Sequence, residues 1–275
     1  MTDRLELLTV KIALMDSGIG LLPAAAAVRR ARPDADLVLS DDPDGMPWGP
    51  RDAHDITAHA LACARAAAEL GPAALIVACN TATVHALPAI RAELEPAVPV
   101  IGTVPAIKPA AAAAATSGGP LAIWATPATT GSPYQRRLID EFGNGADITE
   151  VPCHGLADAI ESGDEDLIDK AVRAAAALTP DDVRTVVLGC THYELVGGRV
   201  REAVTAPGAT PPVLHGSAQA VCAQALRRAN AVPDPDAEPT GGLTVLHSGS
   251  TGELTSTALT YAEGRLLAAS SPARG

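Results

Sequence analysis

Short apolar runs alternate with stretches of helical spacing along almost the whole chain. Two of these runs end alike: residues 183–188 lead through Gly189 into Cys190, and residues 73–78 lead directly into Cys79. Short β-branched runs predict buried strands, and further strands are predicted at 11–15, 36–40, 98–101, 121–125, 148–152, near 213 and at 243–246. Strands that alternate with helices favour a mostly parallel α/β fold.

Helical spacing fills most of the intervals between these strands. The predicted helices cover residues 21–31, 51–70, 82–95, 106–116, 133–141, 153–162, 165–178, 194–203, 216–230 and 256–269. Hydrophobic residues make up 47% of the chain and aromatic residues only 2%, so small side chains must form much of the core.

The same order of features occurs twice. A strand followed by Asp16 precedes the strand that ends at Cys79, and a strand followed by Thr126 precedes the strand that ends at Cys190. This doubling predicts two pseudosymmetric α/β lobes, each a mostly parallel sheet flanked by helices, with the active site in the cleft between them. We place residues 1–104 and 214–275 in a discontinuous first lobe and residues 105–213 in the second.

Polar residues follow the strands at the edge where open α/β sheets bind ligands. We therefore expect Cys79 and Cys190 to face each other across one small substrate. Candidate hydrogen-bond donors at the same edge are Ser17, Asn80, Thr81, Thr126, Thr129 and Thr191.

The charge of the chain limits its partners. A formal net charge of −12 argues against nucleic acid and anionic membrane surfaces, which need a basic footprint. No window reaches the roughly 18 apolar residues of a membrane span, and residues 1–6 lack the pattern of a signal peptide. We expect a cytoplasmic protein with a small-molecule partner.

The chain has five cysteines and no Cys-x-x-Cys motif, which argues against a disulfide framework and a structural zinc site. Cys63, Cys153 and Cys222 are interpreted as buried apolar residues. His54, His59 and Cys63 share one predicted helix, but the five-residue step turns His54 away from the other two. We therefore predict no metal site.

Five motifs resemble those of glutamate racemases in their order and spacing, roughly over residues 11–203 and weakly in the tail. They are Asp16-Ser17-Gly18-Ile19-Gly20, Pro47-Trp48-Gly49, Cys79-Asn80-Thr81, Ala125-Thr126-Pro127-Ala128-Thr129 and Gly189-Cys190-Thr191-His192-Tyr193. Glutamate racemases belong to the wider group of cofactor-independent aspartate/glutamate racemases. The resemblance implies interconversion of L- and D-glutamate without cofactor or metal, and a supply of D-glutamate for peptidoglycan. We expect a homodimer.

The resemblance also implies roles for individual residues. Cys79 and Cys190 correspond to the two acid/base residues, and Glu161 corresponds to an acidic helper. The residues implied around the substrate are Asp16, Ser17, Trp48, Gly49, Asn80, Thr81, Thr191 and His192. By proximity in the motifs, His192 is the expected proton partner of Cys190, and Asp16 that of Cys79.

Racemisation removes the α-proton from one face of a carbon and returns a proton to the other, so it needs two opposed groups. One thiol must begin as thiolate. Both cysteines are predicted to lie just before a helix, whose dipole favours the anion and lowers a thiol pKa from about 8.5.

Four departures from the family pattern affect the pocket more than the chemistry. Trp48 replaces a usual tyrosine, Leu21 a glycine and Glu194 a proline, and the tail lacks the usual closing sequence. The alternatives that stay open are a related racemase, isomerase or decarboxylase acting on aspartate, hydantoin or another small acid, and a non-catalytic small-ligand-binding protein.

Overall fold

The structure, a computed structural model, describes residues 10–269 as alternating strands and helices. The strands are β1 (Lys11–Met15), β2 (Asp36–Asp41), β3 (Ala74–Val77), β4 (Val100–Gly102), β5 (Leu121–Ala125), β6 (Ile148–Pro152), β7 (Thr185–Leu188), β8 (Val213–His215), β9 (Leu243–His247) and β10 (Ser250–Gly252). The α-helices are α1 (Leu22–Ala31), α2 (Ala53–Ala68), α3 (Asn80–His85), α4 (Leu87–Leu94), α5 (Ile107–Ser117), α6 (Pro133–Phe142), α7 (Leu156–Ser162), α8 (Glu165–Ala176), α9 (Gly197–Ala203), α10 (Ala218–Arg228), α11 (Ser256–Thr260) and α12 (Ala262–Ala269). Segments of 3-10 helix cover Ile19–Leu21 and Thr191–Val196.

The first sheet has the strand order β10-β9-β2-β1-β3-β4. All neighbouring pairs are parallel except the β9–β10 hairpin. Met15 at the end of β1 pairs with Ser40 of β2 and Val77 of β3. The residues that follow β1, β2 and β3 therefore leave the sheet at one edge, which brings the segment after Met15 beside Cys79.

The second sheet has the order β6-β5-β7-β8, and all of its pairs are parallel. Trp124 of β5 pairs with Leu188 of β7. The loop that begins at Thr126 and the turn that carries Cys190 therefore leave this sheet together. The two sheets with their helices confirm the predicted α/β fold class.

Small apolar side chains fill the core, as the composition predicted. The four residues of β3 are fully buried, and one cluster runs from Leu22 and Val28 of α1 to Val186 of β7. Burial on both faces explains why these strands are continuously apolar rather than alternating. Because the cluster includes both sheets, the lobes share apolar packing.

The tail after residue 241 returns to the first sheet. Buried Arg29 of α1 donates to Ala35 O at 2.7 Å and to Gly242 O at 2.9 Å, next to the start of β9. These carbonyl acceptors offset the cost of burying the guanidinium group. They also hold the tail beside β2. The predicted lobe boundaries stay a prediction, and the one at 213/214 falls inside β8.

Four predicted helices differ from the structure, and one of them, predicted over 153–162, begins at Leu156. The helix predicted over 82–95 is two helices, because the chain breaks at Ala86 and Pro88 occupies the first turn of α4. The helix predicted from Glu194 is preceded by a 3-10 segment and begins at Gly197, and the helix predicted over 256–269 breaks at Tyr261. Strand β10 was not predicted.

Within residues 10–269, no helix has the length and apolar character needed to cross a membrane. The N-terminal residues on which the signal-peptide expectation depends lie outside the described residues. In the same range, no three or more His, Cys, Asp or Glu residues form a group suited to a metal ion. His59 instead contacts Asp42 and Asp55.

Candidate active site

A cavity of about 320 Å³ lies between the facing edges of the two sheets. Every residue predicted for the site lines it: Asp16, Ser17, Trp48, Gly49, Asn80, Thr81, Thr126, Thr129, Glu161, Thr191, His192 and the two cysteines, Cys79 and Cys190. The parallel strands explain this convergence, because Asp16 follows β1, Cys79 follows β3 and Cys190 follows β7.

Cys79 and Asp16 form the first side of the cavity. Asp16 Oδ1 accepts from Ser17 N at 2.6 Å, and the carboxylate contacts the Cys79 thiol. Burial raises the pKa of Asp16 to about 6, although His192 and the bond with Cys79 act in the opposite direction. This carboxyl group can therefore gain and lose a proton near neutral pH.

The expected effect of a helix dipole on Cys79 is wrong in direction. Cys79 precedes α3, but burial and then the charge of Asp16 raise the pKa of Cys79 well above its usual range. The helix has six residues, and desolvation of a buried thiolate outweighs its dipole. Cys79 therefore rests as a thiol.

Cys190, His192 and Glu161 form the second side. Cys190 Sγ lies 3.8 Å from His192 Nδ1, and His192 Nε2 lies 2.8 Å from Glu161 Oε2. Burial alone lowers the pKa of His192, but its bonds to Cys190 and Glu161 and the charge of Asp16 together raise it well above the usual value. A protonated His192 donates from both ring nitrogens, one of them toward the Cys190 sulfur.

Hydrogen bonds join the two sides. Asn80 Nδ2 donates to Gly189 O at 2.9 Å, which ties the residue after Cys79 to the residue before Cys190. Thr191 Oγ1 donates to Asp16 Oδ2 at 3.4 Å, and Ile19 N donates to Glu161 Oε2 at 2.9 Å. Each lobe therefore fixes a functional side chain of the other.

Two glycines allow this close approach. A Cβ at Gly18 would overlap the Glu161 carboxylate, and a Cβ at Gly20 would overlap Asp16, Thr191 and His192. The Asp-Ser-Gly-Ile-Gly motif thus needs glycine because side chains of the second lobe occupy the space.

The remaining walls are largely neutral. Thr126 and Thr129 hydrogen-bond to each other at 3.1 Å on one side, and Trp48, which is 1% exposed, lies on the other. Among the described residues that line the cavity, none is Lys or Arg. A carboxylate ligand would therefore be held by hydroxyl, amide and backbone donors.

The predicted set of site residues left out part of the lining, although Pro47, Pro127, Ala128 and Gly189 belong to the motifs named above. The additional residues are Met46, Pro47, Pro50, Pro127, Ala128, Cys153, Gly155, Ala157, Asp158 and Gly189. Cys153 was interpreted as an inert core residue; it is buried, and burial raises its pKa, but it also reaches the cavity. Its position after β6 was the available signal, since β6 pairs in parallel with β5 and ends at the same edge.

Known proteins are similar to this chain in sequence. A sequence model described as Asp/Glu/Hydantoin racemase matches residues 21–231. The glutamate racemase of Roseiflexus sp. (strain RS-1) is 36% identical over 193 residues, which cover 69% of this chain and 70% of that protein.

Solved structures are similar as well. Escherichia coli glutamate racemase in complex with L-glutamate and the activator UDP-MurNAc-ala has a TM-score of 0.73 and 27% identity, covering 94% of this chain and 92% of that one. Thermus thermophilus glutamate racemase in complex with beta-chloro-D-alanine has a TM-score of 0.65 and 25% identity, covering 96% and 95%.

The two-lobed α/β fold, the cavity between the lobes and these relatives define an isomerase of the racemase class. The chain belongs to the Asp/Glu/hydantoin racemase family.

Proposed function

We propose that this racemase interconverts L- and D-glutamate by proton transfer between two cysteines. The observation that carries the proposal is that Cys79 and Cys190, which end corresponding strands of the two sheets, line one cavity. A carbon bound between them would be accessible to one thiol on each face, as a two-base reaction requires.

The proposed reaction begins with Cys190 as the thiolate and Cys79 as the thiol. Cys190 removes the proton from Cα, and Cys79 delivers its S–H proton to the opposite face. The electron pair of the broken C–H bond is held by the α-carboxylate and then forms the new C–H bond. One turnover leaves Cys190 as the thiol and Cys79 as the thiolate, the state that acts on the opposite enantiomer. Exchange of these protons with solvent restores the starting state and brings solvent hydrogen to Cα.

Neighbouring groups support the opposite protonation states of the two cysteines. The protonated His192 donates toward Cys190 and is itself held by Glu161. Asp16, with a pKa of about 6, lies beside Cys79 and can take a proton from it or return one. The two cysteines thus rely on different neighbours to set their protonation states: His192 for Cys190 and Asp16 for Cys79.

Glutamate is the substrate most strongly supported by the named relatives, and E. coli glutamate racemase has been solved with L-glutamate. The carboxylates would bind the neutral donors of the cavity. Asn80 Oδ1, which is buried without a hydrogen-bond partner among the described residues, would accept from the substrate ammonium group. Aspartate, hydantoin or another small acid is the alternative within the family.

The test is incubation of the pure protein with L-glutamate in heavy water, with optical rotation and α-deuteration followed together. We expect loss of rotation with deuterium entering at Cα in the product. Absence of exchange with glutamate, aspartate and hydantoin substrates would reject the proposal. Exchange with aspartate or a hydantoin but not with glutamate would assign the protein a different substrate within the family.

In a bacterial cytoplasm, this activity would supply D-glutamate for peptidoglycan. We also propose a homodimer, which light scattering of the purified protein will test. A monomer at micromolar concentration would contradict the dimer without affecting the chemistry.

A further inference from the structure

Asp42, which follows β2, is a buried carboxylate outside the predicted site. Its Oδ2 accepts from Trp48 Nε1 at 2.9 Å and pairs with His59 Nδ1 at 2.7 Å. Its Oδ1 accepts from Gly45 N at 3.2 Å and from Ser248 Oγ at 3.1 Å. Both oxygens are therefore used to hold the loop that carries Trp48.

The bond from Trp48 determines what this residue can offer a ligand. Indole has one polar hydrogen-bonding atom, the Nε1–H donor. Since Asp42 accepts from that atom, Trp48 is left with its apolar ring as the surface available to the cavity. Trp48 can contact the methylene groups of a substrate but has no free donor for its carboxylates.

The same residue ties this wall to the loop on the first side of the cavity. Asp42 N donates to Ser17 O at 3.3 Å, and Met46 N donates to Asp42 O at 2.9 Å. A Cβ at Gly45 would overlap both the Asp42 carboxylate and the His59 ring. The loop therefore has little space in which to shift while Asp42 keeps its contacts.

We propose that Asp42, braced by His59, is a positioning residue that fixes Trp48 as the apolar wall against the substrate side chain. This inference rests on the proposed function for the identity of the substrate, but the geometry of the wall does not depend on it. Neither Asp42 nor His59 lines the cavity, so both act through Trp48.

The test compares Asp42→Asn with the wild-type protein. Asparagine has one acceptor oxygen where the carboxylate uses two, so either the Trp48 side or the Gly45 side loses its acceptor. We expect KM for glutamate to rise about tenfold, the factor for one lost hydrogen bond to a charged group, with kcat nearly unchanged. A wild-type KM in folded Asp42→Asn protein would overturn the proposal.

A pair of histidine variants separates positioning from general effects on α2. His59→Gln, like Asp42→Asn, should raise KM for glutamate. His54→Gln is the matched control, because His54 is exposed on the same helix. Equal effects of both variants would contradict a specific role for His59.

A readout independent of activity keeps this test separate from the proposed function. Trp48 and Trp124 are the two tryptophans, so in a Trp124→Phe background the emission comes from Trp48. If that background does not fold, the difference between the wild-type and Trp48→Phe spectra gives the same signal. We expect Asp42→Asn to shift Trp48 emission to the red and increase its quenching by acrylamide. Unchanged emission and quenching would overturn the proposal, whether or not glutamate is racemised.

Discussion

Replacement of Asp16 by asparagine is expected to stabilise the folded protein at pH 7 while removing its activity. The Asp16 side chain is fully buried, and its pKa rises from 3.8 to about 6. Each pKa unit corresponds to ~1.4 kcal/mol, so the ionised carboxylate costs the folded state ~3 kcal/mol at neutral pH.

The raised pKa of Asp16 determines how its effect on the free energy of unfolding changes with pH. Below pH 3.8, Asp16 is protonated in both the folded and the unfolded chain and has no effect. As pH rises toward 6, the unfolded chain ionises first, so stability is lost across this window. Asp16→Asn should therefore increase the free energy of unfolding by at most ~3 kcal/mol at pH 7 and by less than ~1 kcal/mol at pH 4. This figure already includes the attraction of the Asp16 carboxylate to the protonated His192, since that attraction contributes to the pKa of about 6.

Asparagine can keep two of the contacts that Asp16 makes. Its oxygen can accept from Ser17 N, and its amide can donate to the Thr191 hydroxyl, which then acts as acceptor. Urea unfolding at pH 7 and pH 4 measures the difference in free energy of unfolding. Asp158→Asn is the control for stability, because Asp158 lines the same cavity but is exposed. A loss of stability at pH 7, or equal gains at both pH values, would refute the reasoning.

Three further variants test separate contacts. Gly20→Ala should lower kcat/KM by about 10²-fold, because its Cβ overlaps the His192 ring and misplaces it; near-normal kinetics would contradict this contact. Glu161→Gln removes a carboxylate that helps to raise the pKa of His192, so the alkaline limb of the kcat profile should move to lower pH. Asn80→Ala removes the bond to Gly189 and should lower kcat/KM about tenfold, which steady-state kinetics measures.

The sequence predicted the elements that depend on local pattern. An apolar run that ends on a polar residue places Cys79 and Cys190 at strand ends, and parallel pairing then brings both to the cavity. In the tail, β9 pairs with β2 of the first sheet, while the predicted lobe boundaries stay a prediction. The break before α4 depends on Pro88, whose position in a first turn was not recognised.

The interactions that the sequence could not predict join distant residues. Asp42 contacts residues at positions 45, 48, 59 and 248, and no periodic pattern links these positions. The raised pKa of Cys79 has the same origin, because burial and the neighbouring Asp16 depend on tertiary packing. A local rule about helix ends gave the wrong direction, since desolvation is the larger effect.

Turnover of Cys79→Ser and Cys190→Ser tests the central claim most directly. Serine keeps the shape of each side chain but not an acidity suited to proton exchange with carbon, so each variant should lose about 10²–10⁴-fold in racemisation of glutamate. Cys222→Ser, at a buried thiol away from the cavity, is the control and should retain turnover. A rate like that of the wild type from folded Cys79→Ser or Cys190→Ser would contradict the two-thiol mechanism.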